Sequence, residues 1–550
     1  MFLTEKVTSS KIIPEILIQL CPTLISEREV NERTEIARIP FRGSIALFLG
    51  VTFSNLILAV GVFFVANLLS PSELGLYTVV LITPSILSVF RGLGVNQAIV
   101  KYLAQYRAEN KREEISETII TGIVFDIIIG VLFTLICFMV ADVTSIYVLK
   151  RPQIAPLVRF VSILVFTNTL MAAFQSIFYG FEKMEYSSFL MTSAAILKGL
   201  LMPAFVVLGY GVLGALTGNI LANVIATIMG AALLVLFYKS KAIAVKKVHF
   251  KKNLKIMLRY GIPFSISIII GGFLIQFYNF IMAIYCDDFL IGNYKIAQNF
   301  TIVISFFTQP LTTVLLPAFS RISSKADRET VRNAFQFSVK YASIVIIPIT
   351  TLMMALSEPI VTVIFNGKYP LAPLYLTLLA ASSLYVGLGS LSIGNLINGL
   401  GRTDVTLKLT LIAVSVGLPL SLILIPAFQI VGLLITSLVA TIPNLLVGLW
   451  WIKRRYGAEI DLPVSLKLYL SAGLAGIPAY ITASQFTINP LIDLCLGSLI
   501  FIGIFLLSAS LTGALRKDDI QTLIELGEEL GPFSKIFRFI LSKIQGLLLY

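Results

Sequence analysis

Four ionisable side chains stand where the flanking residues call for hydrocarbon: Arg91 in SVFRGLGVNQ, Asp126 in GIVFDIIIG, Lys198 in AAILKGLLM and Lys295 in IGNYKIAQN. A charge at the centre of a lipid-facing helix costs roughly 2.5–3.5 kcal/mol, so such residues belong to a bundle interior or a water-filled cavity. Three of them share one depth. Arg91 precedes Lys101 by ten residues, Asp126 follows Ser116 by ten and Lys198 follows Ser187 by eleven, about 15 Å of helix at 1.5 Å per residue. Asp126 can pair with Arg91 or with Lys198, or couple a cation, and either pairing leaves net positive charge near mid-membrane. That suits an anionic ligand, and a phosphate suits the bidentate fork of Arg91 in particular.

A second group is uncharged apart from one lysine. Lys295, Gln298 and Asn299 are spaced i, i+3, i+4 and share one helix face, and Gln276 and Asn279 sit in the preceding helix. Such a face reads as the polar wall of a cavity. Amides also bond neighbouring helices together, and a lysine near a span end can reach the interface.

Metal and cofactor chemistry lacks material. His249 is the sole histidine, and Cys21, Cys137, Cys286 and Cys495 have no ligand spacing. No cofactor and no metal are expected. Asp287 and Asp288 in YCDDFL are the pair that a membrane glycosyltransferase or glycan ligase would use to hold a divalent ion. The short loop around them cannot form an enzyme domain, so the expectation is not an enzyme.

The elements that position these residues follow from the apolar runs. The chain has 550 residues, 57% hydrophobic and only 13% charged, which predicts an all-α polytopic membrane protein. Runs of about 20 residues, enough to cross roughly 30 Å of hydrocarbon, predict about fourteen transmembrane helices. They fall near 44–70, 74–100, 116–140, 155–180, 187–209, 212–238, 256–285, 289–319, 336–357, 372–398, 404–426, 430–452, 466–485 and 490–514.

Charge orients them. Of 42 Lys and Arg, 35 fall at or near one set of alternate loops and the two ends, and only Lys150, Arg151, Arg159 and Lys368 fall in the other set. The positive-inside rule places both termini in the cytoplasm, so the net charge of +13 calls for no nucleic acid. Residues 1–43 read as a cytoplasmic or interfacial segment rather than a signal peptide, and the basic linker 239–255 can meet anionic lipid. The tail 515–550 reads as amphipathic and cytoplasmic.

A repeat divides the chain. SELGLYTVV after the first helix matches FLIGNYKIA after the seventh at an offset of 217, aligning Gly75 with Gly292 and Tyr77 with Tyr294. A second match aligns Gly214 with Gly432 at an offset of 218. Two six-helix lobes, 44–238 and 256–455, are thus predicted to be related by a parallel repeat around a central cavity. Helices thirteen and fourteen, 466–514, lie outside it. Pro84, Gly92, Gly94, Gly271, Gly272 and Pro310 are the expected bend points.

This plan, the passage LLSPSELGLYTVVL and the ending GLGVNQAIVKYLAQY resemble the polysaccharide/oligosaccharide flippases of the multidrug/oligosaccharidyl-lipid/polysaccharide exporter superfamily, to which the lipid II flippases are related. The resemblance covers about residues 38–515 and implies a plasma-membrane flippase. It would translocate a lipid-(pyro)phosphate-linked oligosaccharide from the cytoplasmic to the outer leaflet by alternating access, near glycosyltransferases and a polymerase or ligase. It also implies that Arg91 in helix two and Lys295 in helix eight line the cavity. A drug or small-molecule/cation antiporter of the same superfamily is the alternative. Such antiporters often carry an acid in the first helix, and Ser44–Ser70 has none.

Overall fold

The computed structural model of the protein describes residues 50–240, 249–322, 328–485, 489–528, 538–539, 542–543 and 545–546. The interfacial segment expected at 1–43, the middle of the basic linker and much of the tail beyond residue 528 lie outside the described residues. Among those described, every regular element is helical. The first half holds α1 (Gly50–Leu68), α2 (Pro71–Val80), α3 (Ile82–Phe90), α4 (Val95–Ala108) and α5 (Arg112–Asp142). It continues with α6 (Ala155–Val161), α7 (Ile163–Gly180), α8 (Met184–Phe205) and α9 (Gly211–Ser240). The second half holds α10 (Phe250–Tyr285), α11 (Asp288–Phe300), α12 (Ile302–Arg321), α13 (Arg328–Ala355) and α14 (Ser357–Phe365). It closes with α15 (Ala372–Ala381), α16 (Ser390–Gly399), α17 (Thr403–Tyr456), α18 (Leu462–Gln485), α19 (Pro490–Leu511) and α20 (Lys517–Glu528).

Eleven helical stretches among the described residues are long and apolar enough to cross a membrane. They become twelve if Ala372–Leu388 and Ser390–Gly399, bent by 57°, count as one. The expected fourteen treats two of them as pairs. Met184–Lys239 and Thr403–Tyr456 span 56 and 54 residues; the first leaves helical geometry at Gly209 (φ 91°) and Gly211 (φ 51°), the second at Gln429 (φ 53°). Beyond those breaks the chain folds back, so Gly218 lies against the backbone of Met202 and Gly417 beside Ala440.

The bends differ from the expected set. Helix two breaks after α3, where Leu93 (φ 40°) and Gly94 (φ 83°) are left-handed, as Gly92 and Gly94 suggested. By contrast α10 runs unbroken through Gly271 and Gly272, and Gly272 instead makes room for Val89. Helix eight breaks at Thr301 rather than at Pro310.

The motif SPSELGLY is legible residue by residue. Ser70 Oγ accepts from the Glu73 amide at 3.2 Å and Glu73 Oε2 accepts from the Ser70 amide at 2.7 Å, a reciprocal cap with Pro71 at the first helical position. Gly75 then lets α2 cross α11 at backbone contact, because a Cβ there would overlap the Asp288 carbonyl, and one on Gly292 would overlap the Pro71 carbonyl. The residues aligned by the sequence repeat therefore meet at one crossing.

That crossing closes the lysine-poor face. Arg151 is ion-paired with Asp288, and its Nη2 donates to the Cys286 carbonyl at 2.7 Å. Lys368 Nζ donates to the Asn67 carbonyl at 2.7 Å and Tyr369 Oη to the Ala66 carbonyl at 2.8 Å, satisfying carbonyls at the end of α1. Burial pushes the Cys286 thiol up to about 12, so it stays protonated and unreactive while this face is closed. In a Cys21→Ser/Cys495→Ser background, Arg151→Ala is expected to speed modification of Cys286 by a membrane-impermeant maleimide about tenfold, the effect of weakening a half-buried pair by ~1–2 kcal/mol. An unchanged rate would remove Arg151 from the closure.

On the basic face α10 packs across the first half. Lys101 Nζ sits 3.9 Å from the Tyr260 ring centroid, Asn253 Nδ2 donates to Glu117 Oε2 at 2.6 Å, and Gly94 touches Gly261 backbone to backbone. There α12 packs against α16 within its own half, with Gly399 on Phe319. The described part of the tail is docked: Asp519 pairs with Lys340 and accepts from Tyr341 Oη at 3.1 Å, while Ile520, Leu523 and Ile524 are buried.

Candidate functional site

Arg91 caps the C-terminal end of α3, immediately before the break in helix two. The break gives the position its character. Carbonyls in the last turn of a helix lack intrahelical partners, and the helix dipole places partial negative charge there, which favours a cation. Arg91 is half-buried, and Phe90 beside it meets Phe273 of α10 with ring centroids 6.2 Å apart. Discontinuous helices whose ends point at a ligand are a recurring device of transporter binding sites.

Asp126 of α5 is fully buried, and neither carboxylate oxygen has a hydrogen-bond partner among the described residues. Arg91 is the charge close enough to act on it, although no direct ion pair is formed. Lys198 on α8 is half-buried and stands apart from Asp126, where its helix packs Gly199 against Gly61. The structure thus brings Arg91 and Asp126 together and leaves Lys198 separate.

In the second half, Lys295 Nζ donates to Gln298 Oε1 at 3.0 Å, Asn299 Nδ2 to the Lys295 carbonyl at 2.9 Å, and Asn279 Nδ2 to Gln276 Oε1 at 3.3 Å. Asn279 and Gln298 line a cavity of about 250 Å³ between α10, α11 and α17, together with Tyr278 and Tyr294. Its far wall is Ser437, Thr441 and Asn444. Gln276, Lys295 and Asn299 lie outside that lining. The tyrosines and the α17 residues were missed by sequence reasoning. An available signal was the amide of Asn444 inside an apolar run, and another was the alignment of Tyr294 with Tyr77 in the repeat.

The carboxylate of Asp288 is committed to Arg151 in the closed face. No group of three or more His, Cys, Asp or Glu able to hold a metal occurs among the described residues.

The sequence profile described as polysaccharide biosynthesis protein matches residues 41–323, just over half of the chain. The chain belongs to that family. This member is 25% identical over 190 residues to the probable low-salt glycan biosynthesis flippase Agl15 of Haloferax volcanii, covering 34% of this chain and 40% of that protein. Its fold is similar to that of the lipid II flippase MurJ in an inward closed conformation, with a TM-score of 0.69 at 16% identity over 84% of this chain and 98% of the other. It is also similar to an inward-facing multidrug resistance transporter of the MATE family of the MOP superfamily, with a TM-score of 0.58 at 17% identity over 82% and 98%. The family member is therefore a multi-pass membrane protein with the fold of that superfamily, as the motif and helix plan led us to expect.

Proposed function

We propose that the protein is a flippase that carries a lipid-(pyro)phosphate-linked oligosaccharide from the cytoplasmic to the outer leaflet of the plasma membrane. The lobes 44–238 and 256–455, related by the parallel repeat, rock about the Gly75–Gly292 crossing, and both termini are cytoplasmic. In the conformation described, the lysine-poor face is the closed outer face. The observation that carries the reading is Arg91: a half-buried arginine at a break in its own helix, with Asp126 near it but not bonded to it, at a position that residue counting puts near mid-membrane. An arginine left without a bidentate partner retains all of its donors for a phosphate. Lys198 and Lys295 add positive charge around the path.

Family membership supports a role in polysaccharide biosynthesis, and the substrate would pass between glycosyltransferases on one face and a polymerase or ligase on the other. The cationic-drug alternative is disfavoured because α1 contains no acid and Asp126 is sealed from solvent.

The test is flipping of a fluorescent polyprenyl-phosphate-linked oligosaccharide by purified protein in liposomes. Loss of a charge-assisted bidentate contact is worth ~1.5–3 kcal/mol, so Arg91→Ala is expected to slow flipping by about tenfold to a hundredfold and Arg91→Lys to recover part of it. Normal flipping by a monodisperse Arg91→Ala protein would sink the proposal.

A further inference from the structure

We infer that the cavity between α10, α11 and α17 holds uncharged sugar of the transported molecule, so that the two halves divide the substrate: phosphate to the first, glycan to the second. The inference rests on the flippase reading and adds where the glycan sits and what reads it.

The lining decides the class of ligand. It offers three amides, Asn279, Gln298 and Asn444, and no charged side chain among the described residues that form it. The cation beside it, Lys295, is turned onto Gln298. A phosphate or an inorganic ion would find no counter-charge here, whereas an amide is both donor and acceptor and matches hydroxyl and acetamido groups in either sense. Tyrosine adds a flat apolar face with a polar tip, which suits the alternating C–H and O–H surfaces of a pyranose.

Tyr278 lines the cavity with its ring, because its hydroxyl is buried against Gly417 of α17. Two polar groups of the lining are unused. The hydroxyl of Tyr294 and the amide of Asn444 make no hydrogen bond among the described residues. Buried polar groups are nearly always hydrogen-bonded in native proteins. The volume of about 250 Å³ corresponds to about eight waters at ~30 Å³ each, or to one sugar ring that displaces them.

Comparison of the halves shows that the opening is not imposed by the fold. At the repeat offsets Tyr294, Ser437 and Thr441 align with Tyr77, Asn219 and Asn223. In the first half Asn219 Nδ2 donates to Tyr77 Oη at 3.0 Å, and Asn223 Nδ2 donates to Asn219 Oδ1 at 2.9 Å, so the network closes on itself. In the second half the shorter Ser437 and Thr441 spend their hydrogens on their own helix, at 3.0 Å to the Leu433 carbonyl and 2.8 Å to the Ser437 carbonyl. None of the described residues hydrogen-bonds the Tyr294 hydroxyl, and the space stays open.

The test swaps one network for the other. Purified full-length protein is titrated with three fluorescent probes: polyprenyl phosphate without sugar, with one hexose and with one N-acetylhexosamine. In the wild type, sugar is expected to tighten binding at least about tenfold, the worth of one or two hydrogen bonds. Ser437→Asn/Thr441→Asn should build the closed network, abolish that gain and leave the sugarless probe unaffected. Asn444→Leu removes an amide without filling the space and should cost several-fold for the sugar-bearing probes alone, which keeps the test decisive if the double variant does not fold.

A wild type that binds all three probes equally would overturn the inference, as would variants that keep the sugar-dependent gain. In either case loss of all binding in Arg91→Ala would leave the flippase reading standing. Failure of every probe to bind wild-type protein would instead overturn the flippase reading and this inference with it.

Discussion

Gly75→Leu is expected to prevent stable assembly of the protein, and Gly75→Ala to lower its thermal midpoint clearly. The helices α2 and α11 cross with Gly75 against the Asp288 carbonyl and Gly292 against the Pro71 carbonyl. Overpacking a well-fitted contact costs about 1–3 kcal/mol when side chains can shift. Here the atoms met are backbone, so the helices themselves must move apart and the cost lies at or above the top of that range. The same displacement would open the lysine-poor face, so the surviving Gly75→Ala protein should also show faster modification of Cys286. Gly75→Ala and Gly292→Ala act on one crossing, and their effects should not add. Gly473→Ala in α18, where a Cβ meets nothing, is the control and should be neutral or slightly stabilising. A Gly75→Ala protein as stable as that control would refute the close crossing.

Asp126→Asn is expected to raise stability while lowering transport. A carboxylate buried without hydrogen bonds carries a desolvation penalty of several kcal/mol, repaid only by a partner in good geometry. Arg91 is close but makes no ion pair with it, so the repayment is incomplete. Removing the charge while keeping the shape should therefore stabilise the fold by about 1–3 kcal/mol, read as a higher thermal midpoint in detergent. Flipping of the polyprenyl-phosphate-linked oligosaccharide should fall severalfold, because the field that holds Arg91 at the helix break is lost. Stability gained at the expense of function is the mark of a site residue. A lower midpoint for Asp126→Asn would make Asp126 a packing counter-ion and return Arg91 to a structural role.

The sequence by itself determined the features that depend on local chemistry. Length and apolarity of the runs specify membrane-crossing helices because backbone polar groups in hydrocarbon must be satisfied within each segment. The bias of Lys and Arg to alternate loops separates a basic face from a lysine-poor one. The motif from Ser70 to Tyr77 announces a capped helix start with a conspicuous glycine, and the common depth expected of Arg91, Asp126 and Lys198 follows from counting residues. Gly92 and Gly94 beside Arg91 gave away the break on which its position depends.

Tertiary structure alone decided which of these groups meet. Asp126 is equally distant in sequence logic from Arg91 and from Lys198, but helix packing brings it within electrostatic reach of the first, without a bond between them. The partner of Gly75 is its own repeat copy, which no single helix can reveal, since a crossing is a property of two backbones. Gly271, Gly272 and Pro310 read as hinges, but a glycine used for close packing and one used for bending have the same sequence. The cavity in the second half depends on Ser437 and Thr441 being too short to reach Tyr294. A void is set by what fails to fill the space between helices, and that can be read only once the helices are placed.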